Sequence, residues 1–192
     1  MGKGSVPGKR AHRKPGGVLE ARRLHLRPLA EADAEALFEA VEVSRDALKR
    51  RLCWVSDVQS VEDERRFVSE TASPESVWGI FENRAERFVG VTALLGMDDP
   101  ERAQGRFGIW IRSDRQDKGY AVEAGRMVIE HAFRKAGLHR VYARLDPSNR
   151  PYRKALKKLG LRYEGCLRAD KRLNGRWVDQ ECWGLLKSEW KA

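Results

Sequence analysis

Six consecutive residues, Gln116-Asp117-Lys118-Gly119-Tyr120-Ala121, combine types and spacing that promise chemistry. They form a short polar turn with one glycine, placed directly before a run that reads as a long helix. Such a junction points several main-chain N–H groups and the positive end of a helix dipole in one direction, which suits a phosphate or pyrophosphate. Gly119 gives the backbone freedom to turn and lets a ligand come close. Read alone, the turn is first a glycine in a tight strand-to-helix connection and only second a phosphate cradle, because no Walker or Rossmann glycine pattern accompanies it. Downstream, Asn149 opens a helix carrying Arg150, Arg153, Lys154 and Lys157. That basic run either attracts a phosphate or is a solvated helix face.

Composition narrows the classes. Cys53, Cys166 and Cys182 are far apart and make no C-x-x-C pair, which argues against a disulfide framework and a zinc site, so no metal is expected. Cys53 and Cys166 have apolar neighbours and read as small core residues. The formal charge is +10, and five of those charges fall in residues 1–17, where Lys3, Lys9, Arg10, Arg13 and Lys14 stand without an acid. This Gly- and Pro-rich segment has almost no apolar anchor and is expected to be a disordered tail, with residues 18–192 as one domain. The remaining positive excess draws an acidic partner or a phosphorylated cofactor, or is a plain solvated surface. No apolar run approaches the roughly 20 residues that span a bilayer. The basic N-terminus lacks the apolar stretch of a signal peptide, so the cytoplasm is the expected compartment and no membrane is an expected partner.

The elements that must position the turn follow from periodicity. Alternation over Val18–Leu29, with Leu24 and Leu26 on one face, predicts a strand. Residues 30–41 predict a helix, and 44–52 a continuation opened by Ser44 as N-cap. Another helix is predicted from Ser60, with acids in its first turn. Val77–Phe81, Phe88–Leu95 and Phe107–Ile111 read as three antiparallel strands. Ala121, Ala124, Val128, Ala132 and Phe133 mark the long helix over 119–136, and Gly137 stops it. Val141–Leu145 is the next strand, 150–159 the basic helix, and 161–168 and 177–186 the last strands, joined by a loop with the hairpin signal Asn174-Gly175. The result is an α/β domain with a mixed sheet.

In that order of elements, Gln116-x-x-Gly119-x-Ala121 between Gly108-Ile-Trp-Ile111 and a helix, then a strand, Asn149 and a helix ending Leu159-Gly160, resembles the GNAT acetyltransferases. It is similar more narrowly to the RimJ/RimL-like branch that acetylates ribosomal-protein N-termini. Leu26-Arg-Pro-Leu29, Leu52-Cys-Trp54, Gly90, Asp146-x-x-Asn149, Glu164-Gly165, Asn174-Gly175-x-Trp177-x-Asp179 and Glu189-Trp190 extend the resemblance over nearly the whole chain after residue 18. It implies a mostly antiparallel sheet of about seven strands whose two central strands splay apart, with acetyl-CoA in the gap. It also implies that Ile109, Trp110 and Ile111 offer backbone groups to the pantetheine, and that Gln116 and the amides of Lys118, Gly119, Tyr120 and Ala121 serve the pyrophosphate. Asn149 would lie beside the pantetheine, and Arg153 with Lys154 would draw the 3′-phosphate. A homodimer fits the resemblance.

Three positions depart from the RimL-like pattern. Arg106 stands where a carboxylate is usual on the strand before the turn. Tyr152 replaces a serine three residues after the Asn; it keeps an O–H that can protonate the departing thiolate, or simply packs over the helix end. Lys171 takes the place of an acid, with Asp170 beside it either as a solvated loop acid, the commoner case, or as the group that takes the amine proton; Glu164, Asp179 and Glu181 are fallback bases. Arg106 and Lys171 would make the acceptor side electropositive, favouring the neutral form of an amine and an acidic protein or peptide as acceptor. Trp54 lines the acceptor pocket or packs in the core. The expected activity is acetyl transfer from acetyl-CoA to a peptide α-amine or a small amine. A non-catalytic acyl-CoA-binding module is the alternative, and an RNA-associated protein using the basic segments ranks last.

Overall fold

Leu19 and Leu24 are an odd number of residues apart, so one continuous strand cannot bury both on the same face. The chain resolves this by folding back. In a computed structural model, which describes residues 17–72 and 76–191, the predicted single strand is a small hairpin of β1 (Leu19–Glu20) and β2 (Leu24–Pro28). The basic tail lies outside the described residues up to residue 16. α1 (Ala34–Lys49) runs without the expected break. Ser44 is buried inside it rather than capping a second helix, and its Oγ accepts the Ser113 amide at 2.9 Å. α2 (Val61–Arg66) starts as predicted at Ser60, with Asp63 accepting the Ser60 amide at 2.9 Å in a capping box.

β3 (Val77–Glu82), β4 (Arg87–Leu95) and β5 (Gln104–Ile111) form the antiparallel meander, α3 (Tyr120–Arg134) the long helix, β6 (Arg140–Leu145) the next strand and α4 (Arg150–Lys158) the basic helix. β7 (Arg162–Leu173) and β8 (Arg176–Leu186) are longer than expected, and only Asn174 and Gly175 join them, at φ 48° and 81°. Both values suit the tightest hairpin turn. Eight strands, rather than about seven, make one sheet in the order β1-β2-β3-β4-β5-β6-β8-β7; every pairing is antiparallel except β5 with β6.

Alternate strand residues feed two cores. Trp78, Ile80, Phe107 and Val141 pack with α3 and with Leu156 of α4 on one face. Val77, Phe81, Phe88 and Val91 pack with Leu37 and Ala40 of α1 on the other. Cys53 and Cys166 are exposed, contrary to the core reading: Cys53 opens a short 3-10 turn at the surface and Cys166 sits on the edge strand β7. No helix among the described residues is long and apolar enough to cross a membrane.

Candidate active site

β5 and β6 pair only at Gln104↔Arg140, Gly105↔Val141 and Arg106↔Tyr142. Beyond Arg106, β5 continues to Ile111 along β4, and β6 continues to Leu145 along β8, so the two strands part. Each stays hydrogen-bonded on its outer side, and the inner-facing main-chain groups of residues 107–111 are freed from strand pairing, with the Phe107 and Ile111 carbonyls accepting side-chain donors instead. Gly90 holds β5 close to β4 at the open end: a Cβ there would lie 2.2 Å from the Trp110 carbonyl oxygen. The gap opens into a cleft of about 1320 Å³, whose walls include Ile109, Trp110, Ile111, Gln116, Gly119, Tyr120, Ala121, Asn149, Tyr152 and Lys154.

At one end of the cleft stands the N-terminus of α3. Gly119 has φ 79°, left-handed backbone that other residues enter only with strain, and no side chain caps the helix. The amides of Val122 and Glu123 bond to the Gly119 carbonyl, whereas those of Tyr120 and Ala121 take no backbone partner among the described residues. Free amides at a helix start form a ready anion site. Gln116 braces the turn by donating Nε2 to the Ile111 carbonyl at 3.0 Å. Tyr120 donates its hydroxyl to Glu82 at 2.7 Å. Lys118 does not line the cleft; its carbonyl accepts Arg23 Nη1 at 3.0 Å. Arg23 went unnoticed in the sequence. It also bonds Glu123 through Nε at 2.7 Å, and its guanidinium lies 5.0 Å from the centre of the Tyr120 ring.

The start of α4 forms the opposite wall. Asn149 caps it through Oδ1, which accepts the Tyr152 amide at 3.2 Å. The cap aims Tyr152 across the gap, where its hydroxyl donates to the Phe107 carbonyl at 3.1 Å. Desolvation pushes that hydroxyl far above the usual phenol range, with the Arg106 charge opposing, so it stays protonated at any ordinary pH. Arg153 does not face the cleft as expected: Glu181 accepts its Nε at 3.0 Å, and the Pro147 carbonyl accepts its Nη2. Lys154 and Lys158 line the cleft instead.

The rest of the cleft is assembled from more distant segments. Trp54 (36 % exposed), Arg106 and Lys171 line it, and Lys171 Nζ donates to the Arg51 carbonyl at 3.1 Å. Asp170 does not line it. Neighbouring strand residues point to opposite faces, and Asp170 accepts from Arg144 at 3.1 Å. The fallback acids are engaged too: Glu164 with Arg140, Glu181 with Arg153, and Asp179 with the Ala169 amide. Of the acids that line the cleft, only Glu64 of α2 is buried, and in the sequence it is just one of several acids in a helix's first turn. It is 2 % exposed and its Oε1 has no partner among the described residues. Burial, reinforced by Asp63 and opposed by Arg45, pushes its carboxyl up to about 7.

Comparison with known proteins fits this geometry. Residues 23–162 match the family described as acetyltransferase (GNAT) domain. The chain belongs to the GNAT acetyltransferase family. As a GNAT member it is an acetyl-CoA-dependent acyltransferase. Among curated relatives, "Probable N-acetyltransferase YjcK" of Bacillus subtilis is 26% identical over 178 residues, covering 90% of this chain and 98% of its own. Mycobacterium smegmatis RimJ, solved with a CoA disulfide, superposes with a TM-score of 0.81 at 24% identity, over 94% of this chain and 91% of its own. The ribosomal-protein-S5-alanine acetyltransferase of Vibrio fischeri superposes with a TM-score of 0.79 at 19% identity, over 92% of this chain and 100% of its own. These two likenesses establish the shared fold.

Proposed function

We propose that this GNAT enzyme transfers the acetyl group of acetyl-CoA to a peptide or protein α-amine, or to a small primary amine, by direct attack with both substrates in the cleft. The observation that carries the proposal is the parting of β5 from β6 after Arg106, with the unpartnered amides of Tyr120 and Ala121 at the open end. When bound, acetyl-CoA supplies a thioester carbonyl as acyl source and a thiol as leaving group. In this reading the turn 116–121 holds the pyrophosphate, and the freed backbone of Ile109, Trp110 and Ile111 takes the pantetheine. Asn149 lies beside the pantetheine, and Lys154 with Lys158 draws the 3′-phosphate.

Tyr152 is positioned for the leaving sulfur: it is protonated at working pH, and its hydroxyl is tethered to Phe107, where the strands begin to part. Trp54, Arg106 and Lys171 border the acceptor. Their charge repels an ammonium, favours the neutral amine and suits an acidic peptide. The name of the Vibrio fischeri neighbour, a ribosomal-protein-S5-alanine acetyltransferase, points toward a protein acceptor.

A second reading, an acyl-CoA-binding module without turnover, draws on the engagement of Asp170, Glu164, Asp179 and Glu181 with other protein groups. Free CoA release from acetyl-CoA, measured over a panel of acidic peptides and small amines, separates the two. Turnover on any of them supports the enzyme. Cofactor binding without release across the panel favours the module.

A further inference from the structure

Asp170 and its fallbacks leave the amine proton without a destination, and among the carboxyls that line the cleft only that of Glu64 is buried. We propose that Glu64, on the short helix α2, is the catalytic base that takes the proton from the acceptor amine. The inference rests on the acetyl-transfer reading above and supplies the group that reading lacks.

Geometry sets Glu64 apart from every other candidate acid. Its neighbour Asp63 is consumed by the helix start, accepting the amides of Gln59 and Ser60 and the Ser60 hydroxyl. One residue further round the helix, Glu64 turns from the cap into the cleft, and Oε1 stays unsatisfied. A buried carboxyl with an open oxygen is a net cost to the fold, since desolvation goes uncompensated. That cost is intelligible where an incoming N–H group supplies the missing donor.

The charges around it have defined loyalties. Arg45 of α1 faces Glu64 but spends its guanidinium on Glu42 and on the carbonyls of Val55 and Val58. Lys171 of β7 is bonded to the Arg51 carbonyl, and Arg106 of β5 stands on the same wall. Arg50, Asp57 and Glu70 complete the charged rim. No side chain neutralises Glu64 by direct bonding among the described residues, so it remains free to exchange a proton near neutrality.

The step balances as follows. An acceptor ammonium gives one proton to the Glu64 carboxylate, directly or through one water, and becomes a neutral amine. Its nitrogen lone pair forms the N–C bond to the acetyl carbon while the C–S bond breaks and its electrons go to sulfur. A second N–H proton is lost as the amide forms, and the thiol of CoA gains one. Glu64 then releases its proton to solvent.

The experiment compares wild type, E64Q and E64D in CoA affinity, in kcat/KM against pH, and in the carboxyl titration of Glu64 followed by NMR without substrate. The expected result is a wild-type kcat/KM that falls on the acid side with a midpoint near the titration of Glu64, about 7. In E64Q it drops on the order of 10²-fold or more and that limb disappears. E64D keeps the limb at lower rate, and all three bind CoA within about twofold of one another, since no cofactor contact is changed. E64Q with wild-type rate and pH profile, or a wild type without the acid limb, overturns the assignment of Glu64 alone. Failure of the wild type to bind CoA overturns both this assignment and the reading of the cleft beneath it.

Discussion

The two ends of the cleft are built from different materials. The end proposed for the cofactor is main chain: a left-handed glycine, the amides of Tyr120 and Ala121 without a backbone partner among the described residues, and strand groups released from pairing by a sheet that opens. The end proposed for the acceptor is side chain, with Trp54, Glu64, Arg106 and Lys171 drawn from three separate stretches of the chain. Main-chain sites depend on local backbone shape and tolerate varied neighbours, so they accommodate one invariant ligand. Side-chain sites change with single substitutions, so they set the partner and the proton chemistry.

If that contrast is right, damage at the two ends has different signatures. The largest effect belongs to Gly119→Glu. It puts a side chain on backbone at φ 79°, and a negative charge at the proposed phosphate site. CoA affinity, measured by calorimetry, should fall at least 10³-fold, equivalent to about 4 kcal/mol, while retained affinity would move the phosphate site elsewhere.

Glu64 comes next and is read in stability rather than binding. Its carboxyl is raised from 4.5 to about 7 in the folded chain, so the folded state holds its proton more tightly than the unfolded one. The contribution is fully present below pH 4.5 and is lost as pH rises to about 7, a change of about 3 kcal/mol. Chemical denaturation of wild type and E64Q across that range should show the difference between them growing with pH; parallel curves would return Glu64 to an ordinary carboxyl.

Tyr152→Phe sharpens the boundary between the ends, because Tyr152 sits on α4 yet is assigned to chemistry. The expected loss is on the order of 10²-fold in kcat, with CoA affinity changed less than about twofold. An unchanged kcat removes Tyr152 from the mechanism. The smallest effect is that of Lys171→Ala, which should raise KM for an acidic peptide roughly threefold with kcat kept, fading in high salt, as screened surface charges do. Equal effects on acidic and neutral peptides would deny Lys171 a part in acceptor choice.

The same contrast explains what the sequence disclosed. The glycine turn 116–121, the Asn149 cap and the strands at 107–111 and 141–145 were legible because each is a local pattern: a glycine before a helix, a cap at a helix start, an apolar run of strand length; that the two strands part was implied only by the family resemblance. The hairpin at Asn174-Gly175 was legible for the same reason. The failures at the site needed long-range contacts. Ser44 looked like a cap until the Ser113 amide, 69 residues away, met it inside α1. Arg153 looked free until Glu181, 28 residues on, claimed it. Asp170 and Lys171 were adjacent in sequence, and only the pairing of β7 with β8 decides which faces the cleft. Glu64 carried no signal at all, since nothing local distinguishes a buried acid from a dipole-stabilised one in a helix's first turn.

The central claim is best tested by a crystal structure of the chain with CoA bound. The account predicts the pyrophosphate on the amides of Tyr120 and Ala121, with the pantetheine between residues 107–111 and β6. A nucleotide bound outside that opening, or amides already satisfied by the protein's own groups when CoA is present, would contradict it.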